Sequence, residues 1–307
     1  MKKITHVVGL AVNPEFAFTY DKNDGQSKHP LTDFSVSLSG TSGDVAIGLH
    51  QLGERPLLIG AVGNNGSIED RLIPHLVQEF PFVQIPVLEH SSIAVFPNDG
   101  TGNPEIAGRR GMIIPKLIGK AKNLIKNQLN GLDAETWRIA TGLLPREVEL
   151  GIELLGNSIG YRSLNPNRYL CQSDLIKTVM EHTDLFIVNW SEYIDTMRTL
   201  EIEEISKMHN FGPSLIVVTD EMRGGIYSFK GETGSFDAKV FPGPVFPPGS
   251  GDWFHVGLIK KVTELVKPIQ ELVVKEVEEA LDFAALVAGK KVHIAGASKG
   301  PWLKDLV

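Results

Sequence analysis

This chain of 307 residues contains one cysteine, Cys171. An intrachain disulfide and a cysteine-based metal cluster are therefore excluded. A single thiol fits a reducing compartment, so we expect a cytoplasmic protein. The nine histidines form no H-E-x-x-H or H-x-H pair, which leaves a zinc site without support.

Long apolar runs and basic runs are also missing. No stretch reaches the roughly 18 apolar residues that a membrane span needs. The net charge is −7, and no cluster of Lys or Arg forms a stripe for nucleic acid. The first twelve residues begin basic and then turn apolar, but Thr5, His6 and Gly9 interrupt them, so we expect a strand rather than an export signal. Membrane and nucleic-acid partners are not expected.

Several catalytic signatures are absent as well. There is no G-x-x-x-x-G-K-[ST] segment, which excludes a P-loop enzyme, and no G-x-S-x-G elbow. The turn Gly249–Gly251 resembles the start of a dinucleotide fingerprint, but Phe254 stands where its third glycine is required. A dinucleotide site is not supported at this turn.

What remains is an ordinary globular composition with a regular pattern, 42% hydrophobic and 22% charged. Short apolar runs alternate with helical periodicity, which favours a mostly parallel sheet with helices on both faces. Strands are expected at 4–12, 56–62, 137–140, 161–164, 185–188 and 214–219. Helices are expected at 44–52, 68–79, 147–155, 175–181, 202–209, 252–265 and 271–290.

Two regions interrupt this alternation, and each carries a turn signal, Asp21–Gly25 in the first and Pro97–Gly100 in the second. We expect hairpins there, and thus one α/β domain over 1–307 with lid strands inserted at about 14–38 and 92–114. A lid would exclude water from a site. Surface hairpins without a function are the alternative.

The most informative segment for chemistry is Gly249-Ser250-Gly251-Asp252, a glycine turn that leads into a helix. Glycines permit close backbone approach, and the first helical amides have no intrahelical acceptor, so the turn can bind an anion. Asp252 could accept a proton from a substrate hydroxyl. We expect the helix terminus to keep Asp252 ionised and weakly basic. The alternative is an aspartate that caps a helix.

Two further segments place polar residues where ligands bind in open α/β sheets. Ser39–Ala46 brings small residues to a helix start, although a helix cap at Gly43-Asp44 explains them equally. In the second, a buried-looking strand ends at Asn189 and Glu192 follows one turn later. An amide and a carboxylate there could hold hydrated Mg²⁺ beside phosphates. A Ser191 cap is the alternative.

The order of these segments resembles that of the ribokinase-like (PfkB) carbohydrate kinases over nearly the whole chain. The family's motifs correspond here to 40–44, Leu52-Gly53, Val62–Asn65, Asn165–Arg168, Asn189–Glu192, Val218–Gly225, Gly249–Asp252, Phe283–Ala285 and Gly296-Ala297, with Pro301-Trp302 beyond. The resemblance implies a divergent member with the ribokinase-like fold: a central, mostly parallel sheet, flanking helices and a small β-sheet lid.

The resemblance also implies a function, namely ATP-dependent transfer of the γ-phosphoryl group to a hydroxyl of a sugar, nucleoside or related small molecule. The base would be Asp252, and the anion site would be formed by the amides of Gly249, Ser250, Gly251 and Asp252. The resemblance also implies Asn189 and Glu192 near Mg²⁺ and the phosphates, with Glu192 as the metal residue. It implies Thr219 and Gly225 along the nucleotide. At the acceptor it implies Asn13, Gly40 and Asp44. The lid is a candidate homodimer contact.

The chain departs from the family pattern on the acceptor side and at the cation. Asn13 stands where many members have Asp, Ser39 replaces the first glycine of a pair, and Asp44 replaces an Asn. Ribose itself is therefore doubtful as the acceptor. Phe246 stands where an Asp often helps bind a monovalent cation, so activation by potassium is in doubt, and Asp220 replaces a Gly after Thr219.

Three alternatives stay open. The departures from the family pattern at Asn13, Ser39 and Asp44 favour a non-catalytic sugar- or nucleoside-binding regulatory protein on the kinase fold. A kinase for a hydroxymethyl heteroaromatic is the second, and the lid hairpins count against it. Finally, Arg109 and Arg110 could bind an anionic acceptor such as a sugar phosphate, or they could be solvated surface residues.

Overall fold

The computed structural model describes residues 5–20, 31–77, 79–98, 107–243, 245–294 and 296–306. The predicted turn at Asp21–Gly25 and the end of the turn at 97–100 lie outside these residues. The strands of the described part are β1 His6–Ala11, β2 Asn13–Tyr20, β3 Leu31–Ser39, β4 Pro56–Gly63, β5 Phe82–Leu88, β6 Ile93–Asn98, β7 Ala107–Arg109, β8 Trp137–Leu143, β9 Arg162–Pro166, β10 Leu185–Asn189, β11 Leu215–Thr219, β12 Gly225–Phe229 and β13 Glu232–Phe236.

A central sheet of nine strands, counted over the described ranges, runs in the order β13-β12-β11-β10-β9-β8-β1-β4-β5. The seven strands from β11 to β5 are parallel, and β12 and β13 add an antiparallel edge. The inner strands are apolar without interruption because both faces are covered. In β10, for example, Phe186 and Val188 pack in one core layer, whereas Leu185 and Ile187 pack in the other.

Helices form a layer on each face of this sheet, as the alternation predicts. The helices of the described residues are α1 Thr41–Gln51, α2 Ile68–Leu76, α3 Ile118–Leu129, α4 Val148–Leu155, α5 Arg168–Cys171, α6 Leu175–Met180, α7 Trp190–Leu200, α8 Ser250–Glu264 and α9 Val274–Lys291. Short 3₁₀ turns lie at Pro115–Leu117, Pro145–Glu147, Ile205–Phe211, Glu221–Arg223, Ile269–Glu271 and Leu303–Asp305. The layer of α1, α8 and α9 encloses the fully buried Trp253, and α3, α4, α6 and α7 pack on the opposite face.

A second, small sheet of the order β3-β2-β6-β7 is built from both interruptions of the alternation. Each interruption contributes an antiparallel pair, β2 with β3 and β6 with β7. The two pairs join because β2 runs parallel to β6, with Glu15 opposite Ala94. One sheet thus forms from segments about 80 positions apart in the sequence.

Several element boundaries differ from the sequence-based expectations. Helix α1 begins at Thr41 after Gly40, not with a cap at Gly43-Asp44, because Gly40 takes a φ of 85° that ends strand β3 and opens the helix. Helix α2 stops at Leu76, where Val77 is extended, instead of at 79. The segment expected to be helical at 202–209 forms only a 3₁₀ turn. The pattern missed β5, α3 and α7 altogether.

Within the described part of the chain, no helix is both long and apolar enough to cross a membrane.

Candidate active site

The candidate site lies where the parallel strands of the central sheet end and the helices begin. Strands β1, β10 and β11 end at Ala11, Asn189 and Thr219. Helices α1, α7 and α8 start at the same edge. Most of the residues that the sequence predicted for a site therefore gather at one edge, as expected for an open α/β sheet.

Helix α8 begins without a side-chain cap. Its N-cap is Gly249, in the left-handed region with φ 81° and ψ −4°. The amide of Ser250 donates to the carbonyl of Pro247 at 3.0 Å, but the amides of Gly251 and Asp252 have no acceptor among the described residues. Two N–H groups without an acceptor at the positive end of a 15-residue helix could bind an anion. Of the four amides implied by the resemblance, Ser250's is thus already engaged.

A neighbouring loop holds this turn in place. A side chain at position 249 would collide with the carbonyl of Ala297, so only glycine fits there. The same carbonyl accepts a hydrogen bond from Nε1 of the buried Trp253 at 3.2 Å. The backbone at Ala297 therefore fixes both the start of the turn and the first turn of helix α8.

Asp252 is the third residue of α8, and its pKa is raised to about 7. Burial is the main cause, the negative charge of Glu192 adds to it, and Lys291 opposes it. Protein atoms surround the carboxyl group, although the residue as a whole is half-buried. The raised pKa differs from the expectation that the helix terminus keeps Asp252 ionised and weakly basic, because burial outweighs the helix dipole. A carboxylate with this pKa is suited to accept a proton near neutral pH.

Asp44 lies beside Asp252 in a buried group of acids. It is 3% exposed, its Oδ2 accepts a hydrogen bond from Ser39 Oγ at 3.4 Å, and its Oδ1 has no partner among the described residues. Burial and the charges of Asp252 and Glu15 raise the pKa of Asp44 well above its ordinary value. Burial also raises the pKa of Glu15, which reaches this group from strand β2 of the small sheet. The sequence pattern did not identify Glu15.

Asn189 and Glu192 form a reciprocal cap at the start of α7. Asn189 Oδ1 accepts the amide of Glu192 at 3.0 Å, and Glu192 Oε2 accepts the amide of Asn189 at 3.0 Å. The capping residue is therefore Asn189, not Ser191, whose hydroxyl donates to Asn189 Oδ1. Burial raises the pKa of Glu192 as well. Both side chains are held by the helix and point to the same edge as Asp252.

The residues predicted for a magnesium site fit an ion that keeps most of its water. No group of three or more His, Cys, Asp or Glu side chains in the described ranges could hold a metal. Mg²⁺ is usually bound by one or two carboxylates together with waters and substrate phosphates. Of the two residues predicted for the ion, Glu192 could supply one carboxylate of such a partial set, and Asn189 lies beside it in the cap of α7.

Thr219 and Gly225 lie opposite each other where β11 and β12 pair. The turn between them is closed by Arg223, which donates to Asp220 through Nε at 2.6 Å and through a second nitrogen at 2.7 Å. A side chain at Gly225 would collide with the carbonyl of Val218, so glycine is needed for this tight return. The turn leaves an exposed, polar edge beside the ends of β10 and β11.

A cavity of about 340 Å³ separates the small sheet from the main body. Of the three residues predicted at the acceptor, Asn13 and Gly40 line this cavity and Asp44 does not. Thr41, which the pattern missed, also lines it, and its hydroxyl is buried without a partner among the described residues. Arg109 and Arg110 line the opposite wall.

The two arginines have partners within the protein. Arg109 pairs with Glu69, and Arg110 lies over the ring of Tyr169 at 5.9 Å. Both side chains remain exposed. The structure thus brings both arginines to the cavity, where Glu69 already neutralises Arg109 and the acid Glu147 is also part of the lining.

Comparisons with known proteins show the fold. No family model matches the sequence, and no curated protein matches it. Ribokinase from Giardia lamblia matches with a TM-score of 0.71 at 18% identity over 100% of this chain and 99% of that one. Nucleoside kinase from Methanocaldococcus jannaschii matches with a TM-score of 0.68 at 17% identity over 100% and 98%. Phosphofructokinase-2 from Escherichia coli, solved in complex with potassium, matches with a TM-score of 0.70 at 13% identity over 100% and 97%.

These similarities confirm the fold that the sequence resemblance implied. The chain has the ribokinase-like fold, with a mostly parallel central sheet, flanking helices and a small four-stranded sheet, counted over the described residues.

Proposed function

We propose that this chain is a divergent ribokinase-like kinase that transfers the γ-phosphoryl group of ATP to a hydroxyl of a sugar or sugar-like molecule. One observation carries the proposal: the uncapped start of helix α8 presents two free amides beside Asp252, whose pKa is about 7. An anion site and a proton acceptor within one helical turn are the two groups that phosphoryl transfer to an alcohol requires.

The chemistry follows from these two groups. The amides of Gly251 and Asp252 stabilise negative charge on the transferred phosphoryl group, and the helix dipole adds to this. Asp252 accepts the proton of the acceptor hydroxyl as the new P–O bond forms. Because Asp252 must be ionised, turnover is expected to rise with pH through about 7.

ATP and Mg²⁺ belong to this proposal. Thr219 and Gly225 offer a polar edge for the nucleotide, close to the ends of β10 and β11. Mg²⁺ would neutralise phosphate charge when bound. Because Asn189 and Glu192 already cap α7, we expect them to contact the hydrated ion through water.

The acceptor is assigned to the cavity between the small sheet and the main body. Asn13 and the unpartnered hydroxyl of Thr41 can bind acceptor hydroxyls there. Arg109 and Arg110 on the far wall suit an acceptor that carries an anionic group, such as a sugar phosphate. Ile93, Ala94, Ala107 and Gly108 of the small sheet close the cavity, so we assign this sheet the role of a lid.

The lid also carries our proposal for a homodimer contact. Among the described residues, its strand β3 lies at the edge of the sheet without a pairing partner on one side, and it exposes Phe34. Sedimentation of the protein and of Phe34→Glu tests the contact: a dimer that becomes a monomer in the variant supports it, and a monomeric wild type contradicts it.

The free thiol of Cys171 and the use of ATP are consistent with a location in the cytoplasm.

The test of the function is ADP release from Mg·ATP with a panel of sugars, sugar phosphates and nucleosides. Asp252→Asn is expected to lower turnover by about 10²–10⁴ while nucleotide binding persists. The control is Glu264→Gln, which removes an acid from the far end of α8 and is expected to leave turnover unchanged.

Two results would contradict the proposal. Equal rates for Asp252→Asn and wild type would exclude Asp252 as the base. Thermal stabilisation by sugars or nucleosides, without ADP release for any acceptor, would instead favour a non-catalytic binding protein on this fold.

A further inference from the structure

Lys291 is a fully buried lysine at the last position of helix α9. Its exposed fraction is 0%, and it is the only lysine among the buried residues of the described chain. Its Nζ donates a hydrogen bond to the carbonyl of Ile294 at 3.1 Å and lies 5.3 Å from the centre of the Phe246 ring. A buried ammonium group needs compensating charge or hydrogen bonds to be stable.

The compensating charges belong to the candidate active site. Asp44, Glu15 and Asp252 all raise the pKa of Lys291, while burial lowers it to about 8. In turn, Lys291 lowers the pKa of each of the three acids. The positive charge of Lys291 therefore acts on Asp252 and on the two other acids, although Lys291 does not line the acceptor cavity.

The surroundings of Lys291 do not fit a bound monovalent metal ion, although one neighbour of this fold was solved in complex with potassium. Such an ion needs several oxygen ligands, commonly backbone carbonyls. Here the segment of Phe246 runs beside that of Val292, joined by a hydrogen bond from the Phe246 amide to the Val292 carbonyl. The carbonyl of Ile294 is engaged by Lys291, and an aromatic ring faces the ammonium in place of a carboxylate.

We propose that the ammonium of Lys291 is a built-in cation that holds the anion-binding turn at Gly249–Asp252, so that nucleotide binding and turnover do not depend on potassium. This inference rests on the proposed function. Lys291 acts through the turn and through Asp252, and is a positioning residue rather than a catalytic one. Its Nζ lies over the ring of Phe246, and its positive charge partly offsets the charges of the three acids.

The experiment compares salts of K⁺ and tetramethylammonium at equal ionic strength. The proteins are wild type, Lys291→Met, which keeps the volume but loses the charge, and Lys291→Ala, which opens space. The matched control is Lys290→Met, because Lys290 lies on the same helix with its Nζ 4.7 Å from the Phe241 ring but faces none of the three acids. The readouts are the thermal unfolding midpoint and the Kd of a non-hydrolysable Mg·ATP analogue.

We expect wild type and Lys290→Met to give the same midpoint and Kd in both salts. Lys291→Met is expected to bind the nucleotide analogue at least about tenfold more weakly in both salts. Lys291→Ala is expected to regain midpoint and affinity in K⁺ or methylammonium, but not in tetramethylammonium, because only a small cation fits the space left by the ammonium. A purely structural lysine would show no such selective rescue.

Three results would overturn the inference: a many-fold loss of wild-type affinity in tetramethylammonium, unchanged affinity in Lys291→Met, or no rescue of a folded Lys291→Ala. If neither variant folds in any salt, the comparison of wild type in the two salts alone decides.

If wild type binds no nucleotide in any salt, the proposed function fails. The salt dependence of the unfolding midpoints then still tests Lys291 as a built-in cation, and an absence of cation-selective rescue would overturn it.

Discussion

Helices α7 and α8 begin at the same edge of the sheet and carry an acid at the same third position, Glu192 in one and Asp252 in the other. In α7 the acid closes a reciprocal cap with Asn189, which satisfies the amide of Glu192 at this third position. In α8 the preceding residue is Gly249, which has no side chain to offer, and the amides of Gly251 and Asp252 stay free. The same local position thus serves stability in α7 and is left open for a ligand in α8.

The contrast concerns a helix start without a capping side chain, which α8 shares with α1, α3, α4 and α6. A capping side chain contributes roughly 1 kcal/mol, and α8 forgoes it at the place where an anion site is proposed. Such a departure is typical of functional sites. Four substitutions test the contrast.

The largest effect is expected from closing the anion site of α8 with a charge. Gly251→Asp places a carboxylate in open space at the second helical position, where helix starts favour negative charge. The fold is therefore expected to keep its stability, whereas turnover falls by at least about 10²-fold because the phosphoryl group is repelled.

Gly251→Ala is the control, since it adds a methyl group without charge. Turnover measured beside thermal unfolding separates the two effects. Unimpaired turnover in Gly251→Asp would mean that these amides do not face the transferred group.

The second largest effect is expected from backbone strain in the turn before α8. Gly249→Ala is expected to lower the free energy of unfolding by about 1–3 kcal/mol, because φ is positive and the new methyl group meets the carbonyl of Ala297. Gly53→Ala is the matched control, with a φ of 88° but nothing within 4 Å of the added carbon. Urea unfolding of both variants isolates the contact. Equal losses would show that Ala297 does not constrain the turn.

The cap of α7 should matter less. Asn189→Ala is expected to reduce the free energy of unfolding by about 0.5–2 kcal/mol through loss of the cap. Ser67→Ala removes the capping box of α2, which lies elsewhere in the fold, and should cost a similar amount. Only Asn189→Ala is expected to weaken binding of Mg·ATP as well. If both variants bind the nucleotide equally, Asn189 serves the helix alone.

The smallest effect is a change in pH dependence. The negative charge of Glu192 helps raise the pKa of Asp252, so Glu192→Gln lowers that pKa from about 7. Asp252 then ionises at lower pH, and the rise of kcat/KM with pH moves to lower pH. Glu201→Gln, at the other end of α7, is the control for this profile. A shift to higher pH would contradict the electrostatic coupling.

Much of the fold follows from the sequence because its inner strands are apolar on both faces. The runs at Pro56–Gly63 and Leu185–Asn189 and the glycine turn before α8 were predicted within a few residues. Strand β5 was missed because its exposed Gln84 and its Pro86 break the apolar run. Boundaries failed where a glycine conformation decides, as at Gly40 before α1.

The candidate site was only partly visible in the sequence. Lys291 sits at the end of a helix, where a lysine usually complements the dipole in solvent, so nothing local signals its burial. Its role depends on Glu15 and Phe246, which come from distant segments. The same holds for Asp252, whose raised pKa reflects packing around the helix start and not its position within the helix.

Only Val12 separates β1 from β2, and only Gly40 separates β3 from α1. Both connections of the β2–β3 hairpin to the main body are therefore single residues. The two connections lie close together, because a side chain at Gly40 would lie 2.6 Å from the Ala11 carbonyl and 2.7 Å from Asn13 Oδ1. These are the same residues that border the acceptor cavity. In the proposed kinase, an acceptor that binds Asn13 and Thr41 thus contacts both connections of the hairpin. Binding of the acceptor is therefore coupled to the orientation of the small sheet relative to the main body.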